Sequence, residues 1–130
     1  MKFKQLLRFY FCCDGLEKAL NNIILRRALD CNDYLRGGGY GAEKICTVIE
    51  EKQKLGTLWN YLDSVLKTLT KEDIKILKFY AEMRTGIAHL NDGQKRAVRR
   101  TVVKFLRRAR NVNRYSEGMD VLKKYYCLLG

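Results

Sequence analysis

Leu6, Phe9, Cys13, Leu16, Leu20 and Ile23 recur at steps of three and four residues, the spacing that places side chains on one face of an α-helix. Tyr10, Ile24 and Leu25 widen the stripe, and the set predicts a first long helix over Phe3–Leu29. Gly15 weakens that helix by about 1 kcal/mol relative to alanine, so Asp14-Gly15 is the expected break. From Cys31 to Gly41 the period dissolves into a stretch with four glycines, the main predicted loop.

The helical period resumes with Ile45, Val48, Leu55, Trp59, Leu62, Leu66 and Leu69, predicting a second long helix over Ala42–Leu69 with a bend at Gly56. Thr70 followed by Glu72 and Asp73 has the form of a helix start, a hydroxyl for the free amides and acidic groups for the positive end of the dipole. A third helix is therefore expected over Lys71–Arg84, with Ile74, Leu77, Tyr80 and Ala81 inward and a stop at Thr85-Gly86. After a short turn over Ile87–Leu90, Asn91 or Asp92 can cap a fourth helix over Gly93–Val112. A closing helix over Met119–Leu129 would bury Val121, Leu122, Tyr125 and Leu128. The expected fold is all-α, one domain over residues 1–130 built as a bundle of about five helices.

The absence of proline agrees with long helices. A content of 47% hydrophobic and 31% charged residues excludes a disordered or low-complexity chain. Five cysteines, an odd number without a Cys-x-x-Cys pair, point to reduced buried thiols rather than a disulfide framework. With His89 as the one histidine, no ordinary zinc ligand set is available. Gly37–Lys44 lacks the adjacent Gly-Lys and following hydroxyl of a phosphate loop, so no nucleotide is expected. Glu50-Glu51 and Glu72-Asp73 are neighbours that point to different sides of a helix, and His89 has no partner in sequence, so neither an enzyme nor a cofactor is expected.

The uncharged run Phe9–Cys13 is too short for a signal-peptide core, and no window approaches the length of a membrane span. Cys127-Leu128-Leu129-Gly130 has the outline of a prenylation box, but glycine is outside its usual last residues. A soluble cytoplasmic protein without membrane attachment is the expectation.

Charge changes the picture more than composition does. The chain carries 26 lysines and arginines against 14 acidic residues, a formal charge of +12. Nine of the basic residues, seven of them arginine, lie between Lys95 and Arg114, where no acidic residue occurs; the rest of the chain holds 17 basic and 14 acidic residues. At about 100° per residue, Val98, Val102, Phe105, Leu106, Ala109 and Val112 fall in one arc of the fourth helix. Arg96, Arg99, Arg100, Lys104, Arg107, Arg108 and Arg110 fall in the other, with Val103 landing among them. A solvated face ordinarily mixes signs, because like charges one turn apart are destabilising. A one-signed face predicts a polyanionic partner, and arginine suits bidentate contacts to phosphate or guanine.

Double-stranded DNA is the leading partner, since one helix fits the major groove. Gln94, Lys95, Arg96, Arg99 and Arg100 would approach base edges, and Lys104, Arg107, Arg108 and Arg110 would hold phosphates. The alternatives are a helical interaction module docking an acidic protein and an RNA-binding protein. The stripes of the first two helices are wide enough to leave a surface for a second subunit, so a homodimer on two half-sites is also compatible.

Leu66-Lys-Thr-Leu69-Thr-Lys-Glu-Asp73-Ile-Lys-Ile-Leu77-Lys-Phe-Tyr80 resembles the opening helix of the fourth region of sigma-70-type RNA polymerase sigma factors. Ile87-Ala88, followed by Val98, Arg99, Arg100, Val102 and Leu106, is similar to that region's helix-turn-helix pair. The resemblance covers about Leu62–Arg110 and implies a helix-turn-helix-like C-terminal half over residues 70–112. It also implies a small sigma-like transcription regulator, not a complete sigma factor, with RNA polymerase or another protein subunit as the alternatives for a protein partner. Arg84-Thr85-Gly86 stands where the family's middle helix would run, which leaves room for about one turn there.

Overall fold

The computed structural model describes residues 3–33 and 40–129, apart from the side chains of residues 27, 30–33 and 40–44. It is an all-α bundle of five helices: α1 (Phe3–Asp33), α2 (Tyr40–Leu66), α3 (Lys71–Glu82), α4 (Asp92–Arg108) and α5 (Ser116–Tyr125). Short 3-10 turns at Ile87–His89, Val112–Tyr115 and Tyr126–Leu129 complete it. The α1 helix continues past the expected end at Leu29 to Asp33, and α2 begins at Tyr40 rather than Ala42. The remainder of the predicted loop, residues 34–39, lies outside the described residues.

The helices α1 and α2 form an antiparallel hairpin, because Tyr10 meets Asp63 and Trp59 while Glu17 and Asn21 meet Lys52. Leu6, Leu7, Phe9, Leu16 and Leu20 of α1 and Leu55, Leu58, Leu62 and Leu66 of α2 are buried, as the three-and-four spacing requires. Leu77 and Ala81 of α3, Phe105 of α4 and Leu122 of α5 join the same core. Leu25, by contrast, is exposed.

The departure from helical geometry in α1 falls at Cys12 (φ −119°, ψ 21°) and not at Gly15. A break releases carbonyls of the preceding turn, and there the Trp59 indole Nε1 donates to the Tyr10 carbonyl at 3.2 Å. The Tyr10 ring stacks on Trp59 with centroids 5.1 Å apart and meets Phe11 edge-on at 5.0 Å. Tertiary packing of aromatic rings, rather than glycine's intrinsic weakness, therefore places the bend. The expected bend at Gly56 is absent, and α2 runs through it unbroken.

Tyr10 Oη donates to Asp63 Oδ1 at 2.7 Å. Burial, then the hydrogen bond and charge of Asp63, push the phenol up to about 12. Because the folded value lies above the ordinary one, the stability that neutral Tyr10 contributes is complete below about pH 10. It is lost as the pH rises through about 12. Tyrosinate absorbance in an alkaline titration, with Tyr10→Phe to assign the step, should show Tyr10 among the last tyrosines to ionise. In Asp63→Asn the step should move down without reaching the ordinary value, because burial is the larger cause.

Four expected helix ends move inward, α5 closing at Tyr125 rather than Leu129 among them. The α2 helix stops at Leu66, not Leu69, and α4 at Arg108, not Val112. Leu69, Ala109 and Val112 are nonetheless buried, so the apolar period continued through turns that fold back on the core. Thr70 starts α3 as expected, its Oγ1 accepting the Asp73 N–H at 3.2 Å. The α3 helix closes at Glu82, two residues before Arg84. Between α3 and α4 stands the 3-10 turn Ile87–His89, within the short turn expected over Ile87–Leu90.

The last helix α5 starts at Ser116, ahead of the expected Met119, and lies antiparallel on α2. Glu51, only 8% exposed, accepts hydrogen bonds from Lys124 Nζ at 3.0 Å and Tyr125 Oη at 3.0 Å. The Tyr61 and Tyr115 rings stack at 4.5 Å. The terminal 3-10 turn rests on α1, where the Leu128 carbonyl approaches Gly15, so Leu129 is covered and Leu128 is exposed, the reverse of the expectation. The four cysteines with described side chains are not a buried set either: Cys12 and Cys13 are half-buried, while Cys46 and Cys127 are exposed; the side chain of Cys31 lies outside the described ones.

Candidate nucleic-acid interface

The helix that carries the charge is built to hold a fixed direction. Asn91 Oδ1 accepts the Gln94 N–H at 2.8 Å, and Gln94 Oε1 accepts the Asn91 N–H at 3.3 Å, a reciprocal capping box. Asp92 in the first turn and Arg107 and Arg108 in the last complement the helix dipole. Val98 and Phe105 face the core, with Val102 and Leu106 half-buried beside them. Thr101 is also inward, 3% exposed, because it lies between Val98 and Phe105 on the same face. Its hydroxyl is satisfied by donating to the Ala97 carbonyl at 2.8 Å.

The opposite face is exposed. Arg96, Arg99, Arg100 and Arg107 on this face stand in solvent, as does Arg110 on the turn that follows α4. Among the described residues none of the five has a carboxylate or hydrogen-bond partner. Arg99, Arg100, Val103, Lys104, Arg107 and Arg108 line a shallow open depression on this surface.

Within the predicted basic set the structure makes a division that spacing alone could not. Lys104 Nζ lies 2.8 Å from Asp73 Oδ2, tying α4 to the first turn of α3. The Lys104 hydrogen bond holds the Asp73 carboxyl below its ordinary value. Arg108 Nη1 donates to the Thr68 carbonyl at 3.4 Å. These two cations form the flank of the face, Lys104 engaged with the first turn of α3 and Arg108 with the turn that precedes it. Lys95 is half-buried, and the Gln94 amide oxygen belongs to the cap. Arg114, outside the predicted set, is exposed on the turn Val112–Tyr115.

His89 ends the 3-10 turn, exposed, with Nδ1 3.4 Å from Thr85 Oγ1. Among the described residues no cluster of three or more His, Cys, Asp or Glu side chains is placed to hold a metal ion. No described helix is long and apolar enough to cross a membrane. No family model, curated protein or solved structure matches the chain.

Proposed function

We propose that the chain binds double-stranded DNA through the outer face of α4. The observation that carries this reading is the set of exposed arginines, Arg96, Arg99, Arg100 and Arg107 on α4 and Arg110 on the turn that follows it, with no carboxylate beside them among the described residues. Mutual repulsion along one face is unfavourable in the isolated protein and is relieved when phosphates neutralise it. From Arg96 to Arg107 the helix rises about 17 Å, close to five base-pair steps, and its diameter matches the major groove. The capped start of α4 and its clamp on α3 through Lys104 and Asp73 favour a helix presented as a rigid unit.

Within this reading α3, the turn Ile87–His89 and α4 act as a reduced helix-turn-helix with α4 as the reading helix. The sigma-like transcription regulator implied by the sequence resemblance is the role that fits it, with RNA polymerase as the protein partner.

The test is fluorescence anisotropy of a random-sequence duplex at several salt concentrations. Five arginine–phosphate contacts give a slope of log affinity against log salt near −4.5, or about a 500-fold loss between 50 and 200 mM. A flat salt dependence, or no binding by folded protein at low salt, would remove the proposal and turn attention to an acidic protein partner.

A further inference from the structure

Val103 interrupts the arginine face, and its placement is not that of an incidental surface valine. Counting about 100° per residue, Arg96, Arg99, Arg100 and Arg107 span an arc of about 100°; Val103 and Arg96 each fall about 10° from its middle, and of the two Val103 stands near mid-length of the face whereas Arg96 stands at its start. Val103 is 45% exposed and lines the depression together with Arg99, Arg100, Lys104, Arg107 and Arg108. A valine contributes less to an exposed helix than lysine, arginine or glutamine would, so helix formation does not account for it. No core residue covers it, since Phe105 and Val98 occupy the opposite side.

We infer that Val103 is a specificity-determining residue that contacts the C5-methyl group of thymine in the major groove. The inference rests on the duplex-binding reading of α4. When the arginine arc faces a groove, the long guanidinium side chains reach outward to the phosphate walls and the short side chain at its centre meets the floor. A long side chain at the centre of the face, both mid-arc and mid-length, would hold the helix away; valine is short, and its two methyl groups are fixed by a single strongly preferred helical rotamer. The floor of the major groove offers one apolar feature, the thymine methyl, which apolar side chains recognise by contact. Arginines beside it reach the same base step or the adjoining phosphates. The preferred site therefore contains at least one A·T pair beneath the centre of α4.

The experiment compares alternating dA·dT and dA·dU duplexes of equal length, which present the same pairing groups and differ by the C5-methyl. Parent protein and Val103→Ser are measured on both across a salt series. The parent should favour the thymine duplex about fourfold, the value of one methyl group removed from water. Val103→Ser should bind both duplexes equally, with the parent's salt slope, since it alters no charge. Equal affinity of the parent for both duplexes, on a steep salt slope, would overturn the methyl contact while leaving DNA binding intact. A preference that survives in Val103→Ser would also overturn it, by assigning the effect to DNA shape. Failure of the folded parent to bind either duplex would overturn the inference together with the reading beneath it.

Discussion

Arg96→Gln, Arg99→Gln, Arg100→Gln and Arg107→Gln, combined in one chain, should lower the affinity for duplex DNA about 10³-fold near physiological salt and reduce the salt slope from about −4.5 to about −1. Each arginine that meets a phosphate releases condensed counterions, so four neutral replacements remove four such terms and leave Arg110. Anisotropy over the same salt series measures both numbers. The fold should not suffer. Glutamine and arginine have nearly equal helix propensity, all four side chains are exposed, and removing like charges one turn apart relieves repulsion. The thermal midpoint is expected to stay level or rise, so lost binding cannot be read as lost structure.

The division between face and flank makes the result more specific. Lys104→Gln removes the ion pair with Asp73, so it should lower stability somewhat and change the slope less than any outward arginine does. Arg108→Gln should behave similarly, because its guanidinium is drawn toward the Thr68 carbonyl. If each flank variant reduced the slope by as much as Arg99→Gln or Arg100→Gln, the outer face would have to be redrawn to include both. Asp73, held below its ordinary value by Lys104, keeps that pair charged across neutral pH. The pair's contribution is present above the ordinary carboxylate range and declines as the pH falls through the lowered Asp73 value.

The α4 face was legible in sequence because core and charge obey the same period: Val98 and Phe105 fix the inner side, and the arginines fall opposite. Caps were legible for a similar reason, being local. Thr70 to Asp73 and Asn91 to Gln94 are contacts across three residues. What spacing could not supply were contacts set by how two helices cross. Lys104 and Arg107 look equivalent in a basic run, yet one meets Asp73 and the other meets solvent. Gln94 reads equally well as a base contact or a cap, and only the described geometry gives its amide to Asn91. Helix ends were overrun because periodicity reports burial, not hydrogen bonding: Leu69 and Val112 are core residues carried on turns. The bend of α1 at Cys12 depends on Trp59, 49 positions away from the Tyr10 carbonyl it engages, and no local rule points to it.

Gly118→Ala should destabilise the protein by about 2 kcal/mol, while the same exchange at Gly56 should stabilise it by up to about 1 kcal/mol. Both glycines lie within helices, where alanine is intrinsically better by about 1 kcal/mol. At Gly56 nothing lies within 4 Å of an added methyl, so propensity acts alone. At Gly118 the methyl would fall 2.8 Å from the Lys54 carbonyl oxygen and 2.9 Å from Leu58 Cβ. The first obstacle is backbone of α2, which cannot rotate aside, so α5 must move off α2 and strain of about 3 kcal/mol outweighs the propensity gain. That displacement also disturbs the bonds from Lys124 and Tyr125 to buried Glu51, where a carboxylate left without partners is costly. Thermal unfolding should place the Gly118→Ala midpoint roughly 8 °C below the parent and that of Gly56→Ala a few degrees above it. Because the contact lies between α2 and α5, Gly118→Ala measured well below its midpoint should keep the parent's salt slope on DNA. A changed slope would mean that α5 positions α4, a link that Lys104, Asp73 and Thr68 otherwise supply from the other side of the helix.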